Sequence, residues 1–286
     1  MLPLDRGRSL TEALHDRSVT FCLGYWRIPE NCKRPVEHYS RLFAATCDQL
    51  AHGNLLLLHG EDDVADIFRA ICADKAIPIR TRRLAIEALP AWPVSERLLA
   101  ACARMDLRSA PRPKRFRGEK GTVHYWRDYI DGGDSSYRKL ISIWMSKIAL
   151  TQRLAVGENP FGTELFAWVD ASIARFAGQR RNWDFSQLRL SRHCISHYGS
   201  GMNCHGRRLP LNASLLAGGA AAWSELDALF ARELSLCLSE AYAHDEETLL
   251  ARIVSSHPQL FHCISEPLPP KDGTGGLLHR LAKILR

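Results

Sequence analysis

Two acidic spots in this chain have the residue types and spacing to do chemistry. In "FAWVDASIARF", residues 166–176, the apolar run of Phe166, Trp168 and Val169 ends abruptly in Asp170, with Ser172 two positions on. A lone carboxylate where a strand leaves a core either caps the turn that follows or holds a cation. In "HDEETLLARI", residues 244–253, Asp245, Glu246 and Glu247 stand together where a helical pattern begins. Acids there complement the helix dipole and its free N–H groups, so their plainest role is capping. A third group, Cys194, His197, Cys204 and His205 in "RHCISHYGSGMNCHG", is soft enough for zinc. Its spacing matches no zinc motif, and a hairpin carrying buried cysteines explains it as well. Lys147 is conspicuous on an otherwise apolar helix face shortly before the Asp170 strand. It either snorkels to solvent or faces a site.

The elements that must position these residues follow from hydrophobic periodicity. "SVTFCLGYW", 18–26, has the composition of a strand. Val36, Tyr39, Leu42, Phe43 and Leu50 recur at helical spacing, opened by Pro35 and closed by Gly53. "NLLLLHG", 54–60, is a continuous apolar run of the buried-strand type, and Val64, Ile67, Phe68, Ile71 and Cys72 form the next helical stripe. Strand, helix, strand, helix predicts a parallel α/β sheet. Helices are expected from Ser95 and over 135–156, where Ile141, Trp144, Met145 and Ile148 make the apolar face. The turn "GENPFG" then leads into the strand ending at Asp170, on the edge where open α/β sheets bind ligands. Further on, "SQLRLSRHCISHY" is expected as a strand and "PLNASLLAGGAAAW" as a strand running into a glycine turn. A helix of about 20 residues anchored by Trp223, Leu226, Phe230 and Leu234 follows. Next come a short helix closed by Pro258 and a last strand. No internal repeat is present.

The bulk numbers set the class. The chain has 286 residues, 46% apolar and 24% charged, as in ordinary globular proteins. No apolar run approaches the roughly 20 residues of a membrane span, and the first residues carry acids where a signal peptide needs an apolar stretch. A cytoplasmic protein is therefore expected. The nine cysteines are odd in number, scattered and without a C-x-x-C pair, which points to reduced, mostly buried thiols. The net charge of +7 suits an anionic partner. Its densest source, 108–121, has six basic residues but only Phe116 to stack on bases, so a solvated loop is expected and nucleic acid is not. At the C-terminus, Leu277, Leu278, Leu281, Ile284 and Leu285 face away from Arg280, Lys283 and Arg286. This short basic amphipathic helix could pack on the domain or lie on an anionic membrane, at the inner face.

The segments "SVTFCLGYW", "ISIWMSKIALTQRLAVGENPFGTELFAWVDASI", "LNASLLAGGAAAW" and "HDEETLLARIVSSHPQLF" fall in an order that resembles the HtrL/YibB-like family of bacterial glycosyltransferases and the wider GT-A nucleotide-sugar transferases. The resemblance spans roughly 18–264. It implies a Rossmann-like, mostly parallel sheet with flanking helices, and one GT-A domain over 18–265 between an extension (1–17) and a tail (266–286). The nucleotide-binding half would cover about 18–175 and the acceptor half 176–265. By the same resemblance, Asp170 corresponds to a D-x-D acid that holds Mn²⁺ or Mg²⁺ against the donor diphosphate. Ser172 stands where the second acid would be and could ligate weakly, or a basic residue could stand in for the metal. Tyr25 would stack on the base, Arg27 would meet a phosphate, Lys147 would offset diphosphate charge, and Trp168 would belong to the donor site. Asn212, Ser214 and Gly218 would line the acceptor pocket. Asp245 or Glu246 would be the general base, and His262 a further metal ligand. The implied activity is transfer of a sugar to a saccharide or glycolipid acceptor, such as a lipopolysaccharide. A non-catalytic GT-A domain, or a basic module binding an anionic polymer, is the alternative.

Overall fold

The computed structural model describes residues 18–31, 35–104, 128–129, 132–179, 183–204, 207–241 and 245–267. The 1–17 extension, the basic stretch 108–121, His205 and the amphipathic segment 276–286 lie outside these residues.

Alternating side chains on continuous apolar strands build a sheet with a core on each face. Strand β1 (Val19–Tyr25) sends Phe21, Leu23 and Tyr25 to one core and Cys22 to the other. Strand β2 (Asn54–His59) divides in the same way, Leu55 and Leu57 against Leu56 and Leu58. Helices α1 (Val36–Leu50) and α2 (Asp62–Asp74) cover the first core through Phe43 and Phe68, whose rings lie 4.4 Å apart. Helices α3 (Ser95–Ala103), α4 (Gly133–Arg153), α5 (Ala220–Cys237) and α6 (Glu246–Ser256) cover the second.

The remaining strands are β3 (Ile79–Arg83), β4 (Leu165–Val169), β5 (Ile195–Tyr198), a two-residue ribbon of β6 (Asn203–Cys204) and β7 (Arg207–Arg208), β8 (Asn212–Gly219) and β9 (Phe261–Ser265). The main sheet has seven strands in the order β3-β2-β1-β4-β8-β5-β9. Among the described strands of this sheet only β8 runs against the others. The fold is α/β with a mostly parallel sheet between helices, as the resemblance implies. From β1 the chain builds outward to β2 and β3, then returns to place β4 on the other side of β1. That reversal opens a crevice beyond the carboxyl ends of β1 and β4.

Three elements depart from expectation. β3, "IRTRR", carries too much charge to look like a strand, but it forms the edge of the sheet and leaves its arginines in solvent. Of "SQLRLSRHCISHY" only Ile195–Tyr198 pairs in the sheet. Gly218 and Gly219 do not make a turn: both lie in β8, and helix α5 starts directly after them. A Cβ on Gly219 would sit 2.5 Å from the carbonyl oxygen of Arg192, so the close backbone approach is what requires glycine there.

Candidate active site

The crevice between the ends of β1 and β4 holds an open cleft of about 160 Å³, small beside the few hundred to about 1,000 Å³ typical of small-molecule sites. Its floor is the end of β1 and of β4. Gly24 makes that floor possible: a Cβ there would lie 2.4 Å from the Trp26 ring and 2.9 Å from the Trp168 ring. One wall is the face of α4 carrying Leu140, Ile143, Trp144 and Lys147, and the opposite wall is the start of α6, Asp245 to Glu247.

Lys147 ties the walls together. Its position one and two turns along from Trp144 and Leu140 buries it to 4% exposure, where a lone ammonium would be expensive. Two carboxylates compensate it. Nζ lies 3.0 Å from Asp170 Oδ1 and donates to Glu246 Oε1 at 2.5 Å. Burial alone would push the Lys147 pKa down, but the charges of Asp170 and Glu246 outweigh it and hold the group above its ordinary range. The snorkelling alternative is excluded by this geometry.

Asp170 is fixed by its backbone and its side chain. Its N–H donates to Ser214 O at 2.9 Å, extending the β4–β8 ladder by one residue. Trp168 Nε1 donates to Oδ1 at 2.9 Å. The carboxylate is thus engaged by Trp168 and Lys147 rather than by the turn that follows it. Burial opposes its ionisation, but Lys147, the Trp168 hydrogen bond and Arg175 hold its pKa below the usual carboxylate value.

Glu246 is the opposite case. Burial at 4% exposure, reinforced by the neighbouring Asp245 and Glu247 carboxylates, pushes its pKa up to about 8 against the pull of Lys147. Asp245 does cap the helix, its side chain accepting from Glu247 N at 3.2 Å. Glu247 Oε1 accepts from Asn212 Nδ2 and Ala213 N, both at 3.0 Å, and pins α6 to the first residues of β8. Ser214 hydroxyl bonds to Asn212 Oδ1. Asn212 and Ser214 therefore stand behind Glu247 rather than on the cleft wall.

Of the other expected residues, Tyr25, Trp168 and Ser172 line the cleft, Tyr25 with its ring 5.2 Å from that of Tyr39. Arg27 is half-buried and paired with Asp63 at 2.8 Å, away from the lining. Gly218 is misplaced: it pairs with Phe166, near the start of β4, so it faces Ile195 and Cys194 at the far end of the strand from Asp170. His262 is also misplaced as a metal partner. It lies on β9, three strands from β4, about 14 Å at the usual strand spacing, and its side is exposed. Trp26, Tyr39, Trp144, Arg175 and Glu247 line the cleft without having been expected there. The helical spacing of Trp144 and Lys147 offered a signal for one of them, and the acidic run from Asp245 to Glu247 offered one for another.

The residues present do not fit a D-x-D metal. The second acid is Ser172, and the first shares its Oδ1 with an ammonium and an indole N–H. A dication on Asp170 would be placed against the fixed charge of Lys147, a repulsion of several kcal/mol at an effective dielectric of about 20. Among the described residues no group of three or more His, Cys, Asp or Glu is arranged to hold a metal ion. That includes Cys194, His197 and Cys204, with His197 buried in β5 and its Nδ1 3.0 Å from Tyr198 O. No described helix is long and apolar enough to cross a membrane.

No family model matches the sequence, and no curated protein matches it. Among solved structures, 4-diphosphocytidyl-2C-methyl-D-erythritol synthase from Anaerococcus prevotii aligns with 95% of this chain and 100% of its own, at 9% identity and a TM-score of 0.36. A likeness that weak carries no argument about what this chain does.

Proposed function

We propose that the chain is a transferase that takes a sugar from a nucleotide-sugar donor and passes it to a saccharide acceptor, a surface glycan such as lipopolysaccharide or a glycolipid. The observation that carries this reading is the buried Lys147 bridging Asp170 and Glu246 at the topological switch point, where α/β sheets bind nucleotides. The four segments that resemble GT-A transferases supply the cleft's floor and its two walls, or brace the wall at Glu247, which supports the same reading.

Tyr25 and Tyr39 offer ring faces for the base, and Lys147 with Arg175 the positive charge for the diphosphate. Glu246 is the catalytic carboxylate. Its oxygen takes the proton of the acceptor hydroxyl as the new oxygen–C1 bond forms. The bond from C1 to the diphosphate oxygen breaks in the same step and releases the nucleoside diphosphate. A base with a pKa near neutrality is suited to this, and such groups contribute about 10²–10⁴-fold. Trp168 and Asp170 position the ammonium, while Asn212 and Ser214 hold Glu247 and with it the wall that carries Glu246.

A panel of UDP-, GDP-, CMP- and dTDP-sugars tests the reading by thermal shift, followed by product analysis with saccharide acceptors. One nucleotide class should raise the melting temperature of wild type and not of Asp170→Ala. Absence of any stabilisation across the panel refutes it. A second reading, a non-catalytic nucleotide-binding domain, is favoured by the Asp170–Lys147 pair, which already satisfies the carboxylate. Stabilisation by a donor that is neither transferred nor hydrolysed would select it.

A further inference from the structure

We propose that Lys147 is the built-in cation of this site, occupying the role and excluding the presence of a divalent metal on Asp170. Two independent departures point the same way. At Ser172 a carboxylate's negative charge is absent, and at Lys147 a positive charge is supplied; both make the end of β4 a poorer seat for a dication. The ammonium is held without freedom to withdraw. It comes from the middle of α4, buried among apolar neighbours, and bonds to carboxylates from two different elements, the end of β4 and the start of α6. Trp168 reinforces it twice, through its N–H on the shared Oδ1 and with its ring centroid 5.8 Å from Nζ.

An ammonium has three donors, and among the described residues Asp170 and Glu246 take two. The third is left for an anion in the cleft, which Lys147 lines. A fixed cation already stripped of water can meet phosphate oxygens with no metal to recruit, so the chemistry of ligand it suits is a phosphate or diphosphate ester. That last statement rests on the proposed function; the exclusion of metal does not.

Mn²⁺ titration of the protein alone, followed by electron paramagnetic resonance, tests the exclusion without any donor. Wild type should show no Mn²⁺ site that Asp170→Asn removes. Lys147→Gln should gain one, at least tenfold tighter than any wild-type binding, and Lys147→Gln with Asp170→Asn should lose it again. A wild-type Mn²⁺ site abolished by Asp170→Asn overturns the proposal, as does a folded Lys147→Gln that binds no better than wild type. Because removing the ammonium leaves Asp170 uncompensated, Ser172→Asp is titrated beside it. With Lys147 in place it should stay blind to Mn²⁺; binding there would show that the missing acid, not the ammonium, keeps metal away. A final arm measures pyrophosphate binding in EDTA, expected in wild type and at least tenfold weaker in Lys147→Gln. If the metal results hold and no nucleotide sugar binds, the transferase reading falls and the metal exclusion stands.

Discussion

Burying Glu246 beside two other acids stores a pH dependence that its replacement should release. In an unfolded chain this carboxyl titrates near 4.5, and in the folded protein it is pushed up to about 8, first by burial and then by Asp245 and Glu247. Between those values the folded state holds a proton that the unfolded state has released. Its contribution to stability is therefore full below about pH 4.5 and is lost as pH rises towards 8. A single group in this regime changes the unfolding free energy by about 1.4 kcal/mol per pH unit. From pH 5.5 to 7.5, wild type should lose roughly 3 kcal/mol that Glu246→Gln does not lose, since the amide keeps the shape and cannot ionise. Lys147 retains Asp170 in the variant, so the ammonium remains compensated. Urea unfolding of both proteins at pH 5.5, 6.5 and 7.5 reads the effect as a widening gap in midpoint at constant slope. Ionisations of groups remote from Glu246 are common to the two proteins and cancel in the difference. A gap that stays constant with pH, or closes as pH rises, would refute the argument that Glu246 is protonated in the fold.

Turnover should follow the same ionisation with the opposite benefit: initial rates rise with pH to a plateau with a midpoint near 8, and Glu246→Gln loses about 10²–10⁴-fold at every pH, with a flat wild-type profile counting against a base at this position. Asp170→Asn should cost roughly 3–5 kcal/mol near neutral pH, because Glu246 still holds its proton there and the buried Lys147 ammonium loses its ionised partner. Since the Asp170 pKa is depressed, its stabilisation is present above about pH 4 and lost below it, so the variant should be the less acid-sensitive protein in circular-dichroism melts. Trp168→Phe removes the N–H on Oδ1 and shrinks a fully buried side chain, for an expected loss of roughly 2–4 kcal/mol in urea unfolding. Gly219→Ala drives a methyl into the Arg192 carbonyl and should cost about 1–3 kcal/mol or more, whereas Gly201→Ala, with nothing within 4 Å, should be close to neutral in the same assay.

The α/β class and most helices were legible because their signals are local: continuous apolar runs for β2 and β4, and stripes such as Val64, Ile67 and Phe68 for α2. β3 was not legible, because an edge strand needs only one neighbour and tolerates the charges of "IRTRR". The glycines of β8 misled for a related reason, since what demands them is the Arg192 backbone, which nothing in their own neighbourhood announces. At the cleft, the sequence marked Asp170 as an acid leaving a core and Lys147 as a charge on an apolar face. It could not show that 99 positions separate Lys147 from the carboxylate it bonds, nor that His262 and Gly218 end up elsewhere on the sheet. Helix-start chemistry likewise described Asp245 well and Glu246 poorly: the first caps, while the second is turned into the cleft by the same turn of helix.

The reversed direction of β8 sets which edge of the molecule receives Glu246. β8 leaves the cleft edge at Asn212 and arrives at the opposite edge at Gly219, beside the first residue of β4. Its eight residues descend about 27 Å, and the 18 residues of α5 climb about the same distance. Trp223 is moored at the lower end by its bond to Phe166 O. The descent and the climb cancel, so the chain returns to its starting height with Asp245 to Glu247 level with Asp170. A parallel strand in this position would have sent the same helix downward and delivered the three acids to the wrong end of the sheet. The length of α5 thus matches that of β8, and the Glu247 bonds to Asn212 and Ala213 hold the returned helix start at the cleft edge, within reach of Lys147.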